Sequence, residues 1–285
     1  MAHNFSQAFE QLVALFKLKP ASSTQQPYHK LRNFILDVLA QGRRKNIINL
    51  LMDVELTPLQ SHMAQWTANH QQALSLTSYI CKSLACAVGE DKSMHAYRKG
   101  KSKLIIFDDV DLSVMVEREM DGHTMPVVQI IRAANSKSMS QVAQEIRAAK
   151  ITEIGTTGPL NALDKLFFSL PTILRKIVWW EMRRDPQLFK QLVGTVGVTS
   201  MGMHASGPAL VIPITPLTLT LSIGAVVKKC VLEHGQAVEK EFIQMNLGAD
   251  HDIIDGAPLM RFADRFRKHL LIGSAVGKNS NGSNP

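Results

Sequence analysis

The chain has 285 residues, of which 45% are hydrophobic and 20% charged, and a formal net charge of +8. These proportions are ordinary for a globular protein with a sizeable core. The positive charge suits an anionic partner, but the basic residues are scattered and aromatic residues make up only 6%, so nucleic-acid binding is not expected. Cys81, Cys86 and Cys230 have no metal-binding or redox spacing and fit a reducing compartment, which predicts a cytoplasmic protein without a metal site.

The first 27 residues are expected to form an arm and a linker. Phe5, Phe9, Leu12 and Phe16 fall on one face of a helix, and the stretch lacks the layout of a signal peptide. That face predicts packing on the same domain or on a neighbouring subunit. Contact with a membrane is not expected here because basic residues are few. The segment 19–27 is rich in Ser, Thr, Gln and Pro and is typical of a linker.

From residue 28 onwards, helical and strand-like patterns alternate without an internal repeat, which predicts a mixed α/β domain. The predicted helices are His29–Gln41, one beginning at Thr57-Pro58, Leu74–Val88, Ser138–Ala149, Thr172–Arg184 and Ala257–Leu271. The predicted strands are Ile47–Leu56, Lys103–Phe107, Leu112–Val116, Pro126–Ile131, Leu217–Ile223 and Glu241–Leu247.

Two further stretches are informative. Ala209–Val227 is almost free of charge, but Pro213 and Pro216 interrupt it and Leu217–Ile223 alternates with period two, so it predicts a strand with one buried face rather than a membrane span. The final stretch, 274–285, is made mainly of Gly, Ser and Asn and predicts a disordered tail.

Thr172–Arg184 is predicted to be a basic amphipathic helix that starts after Pro171. Ile173, Ile177 and Trp180 share one of its faces. Three interpretations remain open: a helical hairpin that covers part of the domain, a lid over a pocket, or a surface for a membrane or a partner.

The strongest chemical signal lies near the C-terminal end, where a strand-like run leads into Ala249–Gly256 and a helical run follows it. Within that stretch His251, Asp255 and Gly256 form the pattern His-x-x-x-Asp-Gly. The imidazole can act as a general base near neutral pH, and the carboxylate can orient a partner group.

This stretch resembles the active-site signature of the catalytic domain of 2-oxo acid dehydrogenase dihydrolipoamide acyltransferases, which share the chloramphenicol acetyltransferase fold. Gly194–Met203 resembles that family's Gly-Thr-Phe-Thr-Ile-Ser-Asn-Leu-Gly-Met segment. Phe107–Val114 and Met125–Val128 are similar to a strand and the strand that returns beside it, and Leu31–Leu59 to the first helix and strand. The resemblance runs from about Tyr28 to Gly273, in family order, so it covers most of the chain.

The resemblance implies a fold and an assembly. The fold is a mixed sheet flanked by helices, here a domain spanning 28–273, and the assembly is a homotrimer or a cage of trimers. The stretch around 160–192 departs from the family, whose classical members have a short connection there, and is expected to be a helical insertion.

The resemblance also implies roles for particular residues. His251 would be the general base, and Asp255 would orient the active-site loop. Asp255 could also be the N-cap of the following helix, and both roles can hold at once. Thr199 stands where the family carries a serine whose hydroxyl donates to the oxyanion, and Ser200 is the alternative donor. Ser200 and Gly202 are candidates for contact with coenzyme A. In this fold His251 and Thr199 would come from different subunits.

The implied reaction is acyl transfer between coenzyme A and a dihydrolipoyl-type thiol or another nucleophile, with no metal and no tightly bound cofactor. Two departures from the family bear on it. Asp252 replaces the arginine that usually follows the histidine. The sequence also contains no recognisable lipoyl domain, so the acyl group would come from acyl-CoA or from a separate lipoyl protein.

Three other interpretations are kept open. A hydroxyl-acylating enzyme is disfavoured because position 250 is Asp rather than the second histidine common in that branch. A non-catalytic core subunit is disfavoured because His251, Asp255 and Thr199 occur together. Membrane recruitment through the helix that carries Trp179 and Trp180 is the third.

Overall fold

The computed structural model describes residues 22–25, 31–120, 123–151, 170–202 and 205–277. The apolar face predicted for the N-terminal arm and the stretch 278–285 lie outside these ranges. The helices are α1 (Leu31–Gly42), α2 (Leu56–His70), α3 (Leu76–Glu90), α4 (Met139–Ile151), α5 (Thr172–Arg184), α6 (Pro186–Val193), α7 (Gly256–Ile272) and α8 (Ser274–Gly277). The strands are β1 (Ile47–Glu55), β2 (Tyr97–Lys99), β3 (Lys103–Ile105), β4 (Leu112–Met120), β5 (His123–Ile131), β6 (Val196–Ser200), β7 (Leu219–Glu233) and β8 (Gln236–Asp250).

Six strands form one mixed sheet in the order β1-β8-β7-β6-β4-β5. The pairs β4/β6 and β6/β7 are parallel, and the remaining pairs are antiparallel. β2 and β3 pair in a separate small hairpin. This arrangement confirms the predicted mixed α/β fold.

Helices cover one face of the sheet, and α3 is the most deeply buried of them. Its start is capped by Ser75, whose hydroxyl accepts a hydrogen bond from the Ser78 N–H at 3.2 Å. Tyr79 of α3 and Phe262 and Phe266 of α7 are fully buried against the apolar side chains of the central strands. Burial of this apolar surface is the main stabilising contribution to the fold.

The first half of β7 is buried on both faces, which corrects the expectation of one buried face. Leu219 and Leu221 face the helices, while Thr220 and Ser222 face the other way and are also buried. The segment 205–217 covers them: Ser222 Oγ donates to the Val211 carbonyl at 2.5 Å, and Thr220 Oγ1 bonds Thr215 Oγ1 at 2.9 Å. Alternation alone could not reveal this, because the covering segment has no strand pattern of its own.

α5 and α6 form a helical pair that packs on a second, smaller hydrophobic cluster. The cluster consists of Tyr97, Phe107, Trp179, Met182, Phe189 and Leu217. α6 begins at Pro186, and the Asp185 carboxylate caps it by accepting from the Gln187 N–H at 3.0 Å. A largely buried ion pair joins α5 to α1: Arg175 Nε lies 2.7 Å from Asp37 Oδ2.

The C-terminal prediction was wrong for its first residues, because 274–277 form the short helix α8 instead of a disordered tail. Ala275 is buried in the main core, and Ser274 Oγ bonds His269 Nδ1 at 2.5 Å. Across the described ranges, no helix has the length and apolar character needed to cross a membrane.

Candidate active site

His251 lies just past the end of β8, at the sheet edge where β1, β4, β6 and β7 begin. The chain turns sharply here, since the Asp250 carbonyl accepts from the N–H groups of Ile253 (3.0 Å) and Ile254 (2.9 Å). The His251 N–H donates to the Asn46 carbonyl at 2.8 Å, in the turn before β1. The backbone of the histidine is therefore held by two neighbouring elements, while its side chain remains 45% exposed.

Asp250 is a buried structural anchor beneath this turn. Its carboxylate pairs with Lys45 Nζ at 2.5 Å, and its backbone N–H donates to the Thr218 carbonyl at 2.9 Å. Burial, together with the negative charge of Asp250, raises the pKa of the neighbouring Tyr97 phenol well above its usual value. These contacts fix the β8 end, and they explain why a carboxylate occupies position 250.

Asp255 lies at the N-cap position of α7, but its side chain makes no capping hydrogen bond. Its backbone carbonyl accepts from the Leu259 N–H at 3.1 Å, and its carboxylate instead lies 3.5 Å from His251 Nδ1. Asp255 is 82% exposed. The structure thus brings together the two members of the His-x-x-x-Asp pair and leaves the other imidazole nitrogen, Nε2, for a further partner.

Asp252, which stands in place of the family arginine, is engaged by residues from two other elements. Asn46 Nδ2 donates to its carboxylate at 2.9 Å, and Arg98 of β2 lies 3.7 Å from it. A cation therefore lies beside the position that follows the histidine, although it is supplied from elsewhere in the chain. Sequence reasoning missed Lys45, Asn46 and Arg98, because no local pattern links them to a turn 150 or more residues away.

Thr199 lies far from His251 within one chain. It occupies β6 beside Ser222 of β7, which in turn pairs with Asn246 of β8, four residues before Asp250. With about 3.3 Å per residue along a strand and about 4.8 Å between strands, the Cα atoms of Thr199 and Asp250 are about 16 Å apart. The Thr199 side chain is buried. A single chain does not bring the candidate base and the candidate oxyanion donor together.

Ser200 and Gly202 follow Thr199 at the end of β6. Ser200 pairs with Ile223 and is partly exposed. Gly202 packs directly on Gly224, next to an irregularity in the β7/β8 pairing, and a Cβ at position 202 would overlap the Gly224 carbonyl group. This close approach of two backbones is sufficient reason for a glycine at 202. In the described part of the chain, no cluster of three or more His, Cys, Asp or Glu side chains is arranged to hold a metal ion.

Comparison with known proteins identifies the fold. A structure of the cubic core of the pyruvate dehydrogenase multienzyme complex superposes with a TM-score of 0.67 at 17% identity, covering 90% of this chain and 95% of the other. Equal values are found for a dihydrolipoamide acetyltransferase from Azotobacter vinelandii, studied for the roles of a serine, a histidine and an asparagine in its catalytic mechanism. The fold is that of the catalytic cores of dihydrolipoamide acetyltransferases.

The sequence comparison identifies the family. The profile of the 2-oxoacid dehydrogenases acyltransferase (catalytic domain) matches residues 20–158 and 189–273, and the chain belongs to that family. The acetyltransferase component of the pyruvate dehydrogenase complex of Rickettsia prowazekii is 22% identical over 197 residues. That match covers 69% of this chain and 40% of the relative's length. The residues between the two matched ranges, 159–188, include α5.

Proposed function

We propose that this protein is an acyltransferase that moves an acyl group between coenzyme A and a thiol of the dihydrolipoyl type. The observation that carries the proposal is the exposed His251, fixed at the β8 exit with the Asp255 carboxylate 3.5 Å from its Nδ1. Membership of the acyltransferase family supports the same chemistry.

In the proposed reaction His251 acts as the general base. Nε2 accepts the thiol proton as sulfur attacks the thioester carbonyl, so the carbon–sulfur bond to the acceptor forms and the carbonyl electrons move onto oxygen. The tetrahedral intermediate then collapses, the bond to the departing sulfur breaks, and the imidazolium returns the proton to that sulfur. The acyl group is transferred with no net gain or loss of protons.

Asp255 is proposed to orient the imidazole. Its carboxylate favours the tautomer with the proton on Nδ1, which leaves the Nε2 lone pair for the thiol, and it stabilises the imidazolium that forms. Because a separation of 3.5 Å is long for a hydrogen bond, this contact is expected to shorten when the imidazole becomes charged.

Thr199 is proposed to donate its hydroxyl hydrogen bond to the oxyanion. In the Azotobacter vinelandii enzyme the serine precedes the histidine by 52 residues and the asparagine follows it by four. Thr199 precedes His251 by 52 residues and Asp255 follows it by four. This identical spacing supports the assignment of Thr199 over Ser200 as the donor.

A homo-oligomer follows from this assignment, since about 16 Å separates Thr199 from the β8 end of its own chain. We propose a trimer in which Thr199 of one subunit faces His251 of the next, either alone or as part of a cage like the cubic core of the similar structure. Ser200 and Gly202, at the end of the same strand, would line the approach of coenzyme A. The acyl partner would be acyl-CoA, or a lipoyl group on a separate protein.

A non-catalytic core subunit is the alternative function, and one experiment separates the two. Thiol release would be measured from short, medium and branched acyl-CoA thioesters, with and without dihydrolipoamide. Wild type is expected to release the thiol only with the acceptor present, and His251→Ala is expected to lower the rate by about 10²–10⁴-fold. Light scattering provides the control, because it shows whether the variant still assembles as wild type does. Equal rates for a correctly assembled wild type and variant would favour the core-subunit function.

A further inference from the structure

The outward face of α5 is apolar, although it points away from the protein. Ile173, Ile177 and Trp180 recur at helical spacing and are 74%, 55% and 49% exposed. On the opposite side of the same helix, Arg175, Trp179 and Met182 are buried. A helix that packs by one side normally presents polar residues on the other. An exposed apolar stripe of this kind marks a surface that binds something.

The exposed charged side chains of α5 are mostly positive. Lys176, Arg183 and Arg184 are exposed on the same helix, which carries Glu181 as its one acidic residue. The guanidinium of Arg184 lies 4.4 Å from the centre of the Trp180 ring.

The basic surface continues from α5 into the turn after α1. Desolvation and the positive charge of nearby Arg44 lower the pKa of Arg183. Arg183 also reaches this region directly, since it donates to Gln41 Oε1 at 2.8 Å. Arg44 and Arg183 therefore extend the basic surface of α5 towards the turn after α1.

This charge pattern selects between the partners that an apolar stripe could have. A two-fold contact with a second copy would place the same patch on both sides, and the basic side chains would repel each other. An anionic lipid surface offers the complement: phosphates for the basic side chains and an apolar layer for the isoleucines. Tryptophan is also enriched at membrane–water interfaces.

We propose that α5 docks the protein on anionic lipid bilayers, with Ile173, Ile177 and Trp180 inserted at the interface and Lys176, Arg183 and Arg184 against the lipid phosphates. This selects the membrane interpretation from those left open for this helix, and it assigns the contact to Trp180 rather than to Trp179, which is buried. Docking is independent of the proposed chemistry, so His251→Ala should bind lipid as wild type does.

The test is flotation of the full chain with vesicles of phosphatidylcholine alone or mixed with phosphatidylglycerol. Wild type should float with the mixed vesicles, and the bound fraction should fall as salt rises. The double change Ile173→Ser/Ile177→Ser should weaken binding about tenfold or more. The matched control is Leu232→Ser/Met260→Ser, which alters two exposed apolar side chains on β7 and α7 and should bind normally.

Tryptophan fluorescence provides a second measurement on the same samples. Trp66 and Trp179 are buried, so quenching by brominated lipid should report Trp180 and disappear in Trp180→Phe.

Four results would overturn the proposal. Wild type could remain unbound to the mixed vesicles, or bind both kinds of vesicle equally. The isoleucine double variant could bind as well as wild type. The same variant could instead lower the oligomer mass in light scattering, which would assign the face to a second copy of the chain.

Discussion

At the scale of single residues, the charges beside His251 are the least conventional feature of the site. Asp252 carries a negative charge one residue from the proposed base, and Arg98 lies 3.7 Å from its carboxylate. Both groups are partly exposed, so their pairing adds little stability. In the proposed reaction, it would set the charge that the anionic coenzyme A meets on approach.

Asp252→Asn should therefore lower the KM for coenzyme A, by about threefold at low ionic strength, because it leaves the positive charge of Arg98 uncompensated. Arg98→Gln should raise the KM by a similar factor. Steady-state kinetics at low and high salt would measure both effects, which should fade as salt increases. The control is Asp264→Asn, an exposed carboxylate on α7 paired with Arg267. Unchanged KM values in both site variants would show that this pair does not act on the substrate.

His95 makes a residue-scale prediction about stability. It is fully buried, with Nδ1 3.0 Å from Thr195 Oγ1 and Nε2 3.1 Å from the Phe107 carbonyl, and burial lowers its pKa to about 4. In the unfolded chain the pKa is near 6.5, so the unfolded state binds the additional proton between these values. Neutral His95 therefore contributes fully to the free energy of unfolding above about pH 6.5. This contribution, about 3 kcal/mol, is lost as the pH falls towards 4.

Urea unfolding at several pH values between 4.5 and 7 would test this. His95→Gln should be less stable than wild type at pH 7 and should lose stability less steeply on acidification. His234→Asn, at an exposed turn with a φ of 50°, should retain the wild-type pH slope. Parallel curves for wild type and His95→Gln would contradict the assignment.

At the scale of elements, local sequence patterns predicted that a helix or strand forms, but they did not predict which of its faces packs against the protein. The spacing of Ile173, Ile177 and Trp180 correctly predicted a helix with one shared face, but periodicity cannot tell which side packs against the protein. The packed side of α5 instead carries Arg175, whose charge is satisfied by Asp37 on α1, 138 residues away. Lys45, Asn46 and Arg98, which contact the His251 turn, were not predicted either, because they too are distant from it in the sequence. Only the signature His251 and Asp255, four residues apart on one turn, could be paired from the sequence.

The ion pair between Arg175 and Asp37 should control how firmly α5 is attached. The Arg175 guanidinium also donates to the Leu170 carbonyl at 2.8 Å, so Arg175→Met would leave the largely buried Asp37 carboxylate and the Leu170 carbonyl without their donor. We expect a loss of about 3 kcal/mol in unfolding free energy and faster hydrogen exchange across 172–184. Lys176→Met, at the adjacent exposed position, should change the unfolding free energy by no more than about 0.5 kcal/mol and should leave the exchange across 172–184 unchanged. Similar behaviour of the two variants would mean that the pair does not hold the helix.

At the scale of the whole molecule, the proposed site would be complete only in an assembly. The sheet register places Thr199 two strands away from β8 and level with a residue four positions before Asp250, and no rotation of side chains can close a Cα separation of about 16 Å. If acyl transfer needs both groups, each active site must take its histidine from one subunit and its hydroxyl from another. The strand register, which separates the two groups within one chain, makes this sharing between subunits testable.

Mixing two inactive variants provides the test. His251→Ala retains Thr199, and Thr199→Ala retains His251, so each homo-oligomer should be strongly impaired. The two variants are denatured together in equal amounts and refolded. At each interface the subunit on the histidine side then carries His251 in half of the cases, and the subunit on the other side carries Thr199 in half of the cases. About a quarter of the sites should then be intact, and about a quarter of the wild-type rate should return. A mixture of separately refolded variants is the control and should stay inactive. Because a site built within one chain can never be repaired by mixing, a co-refolded sample with no more activity than the control would place both groups in the same subunit.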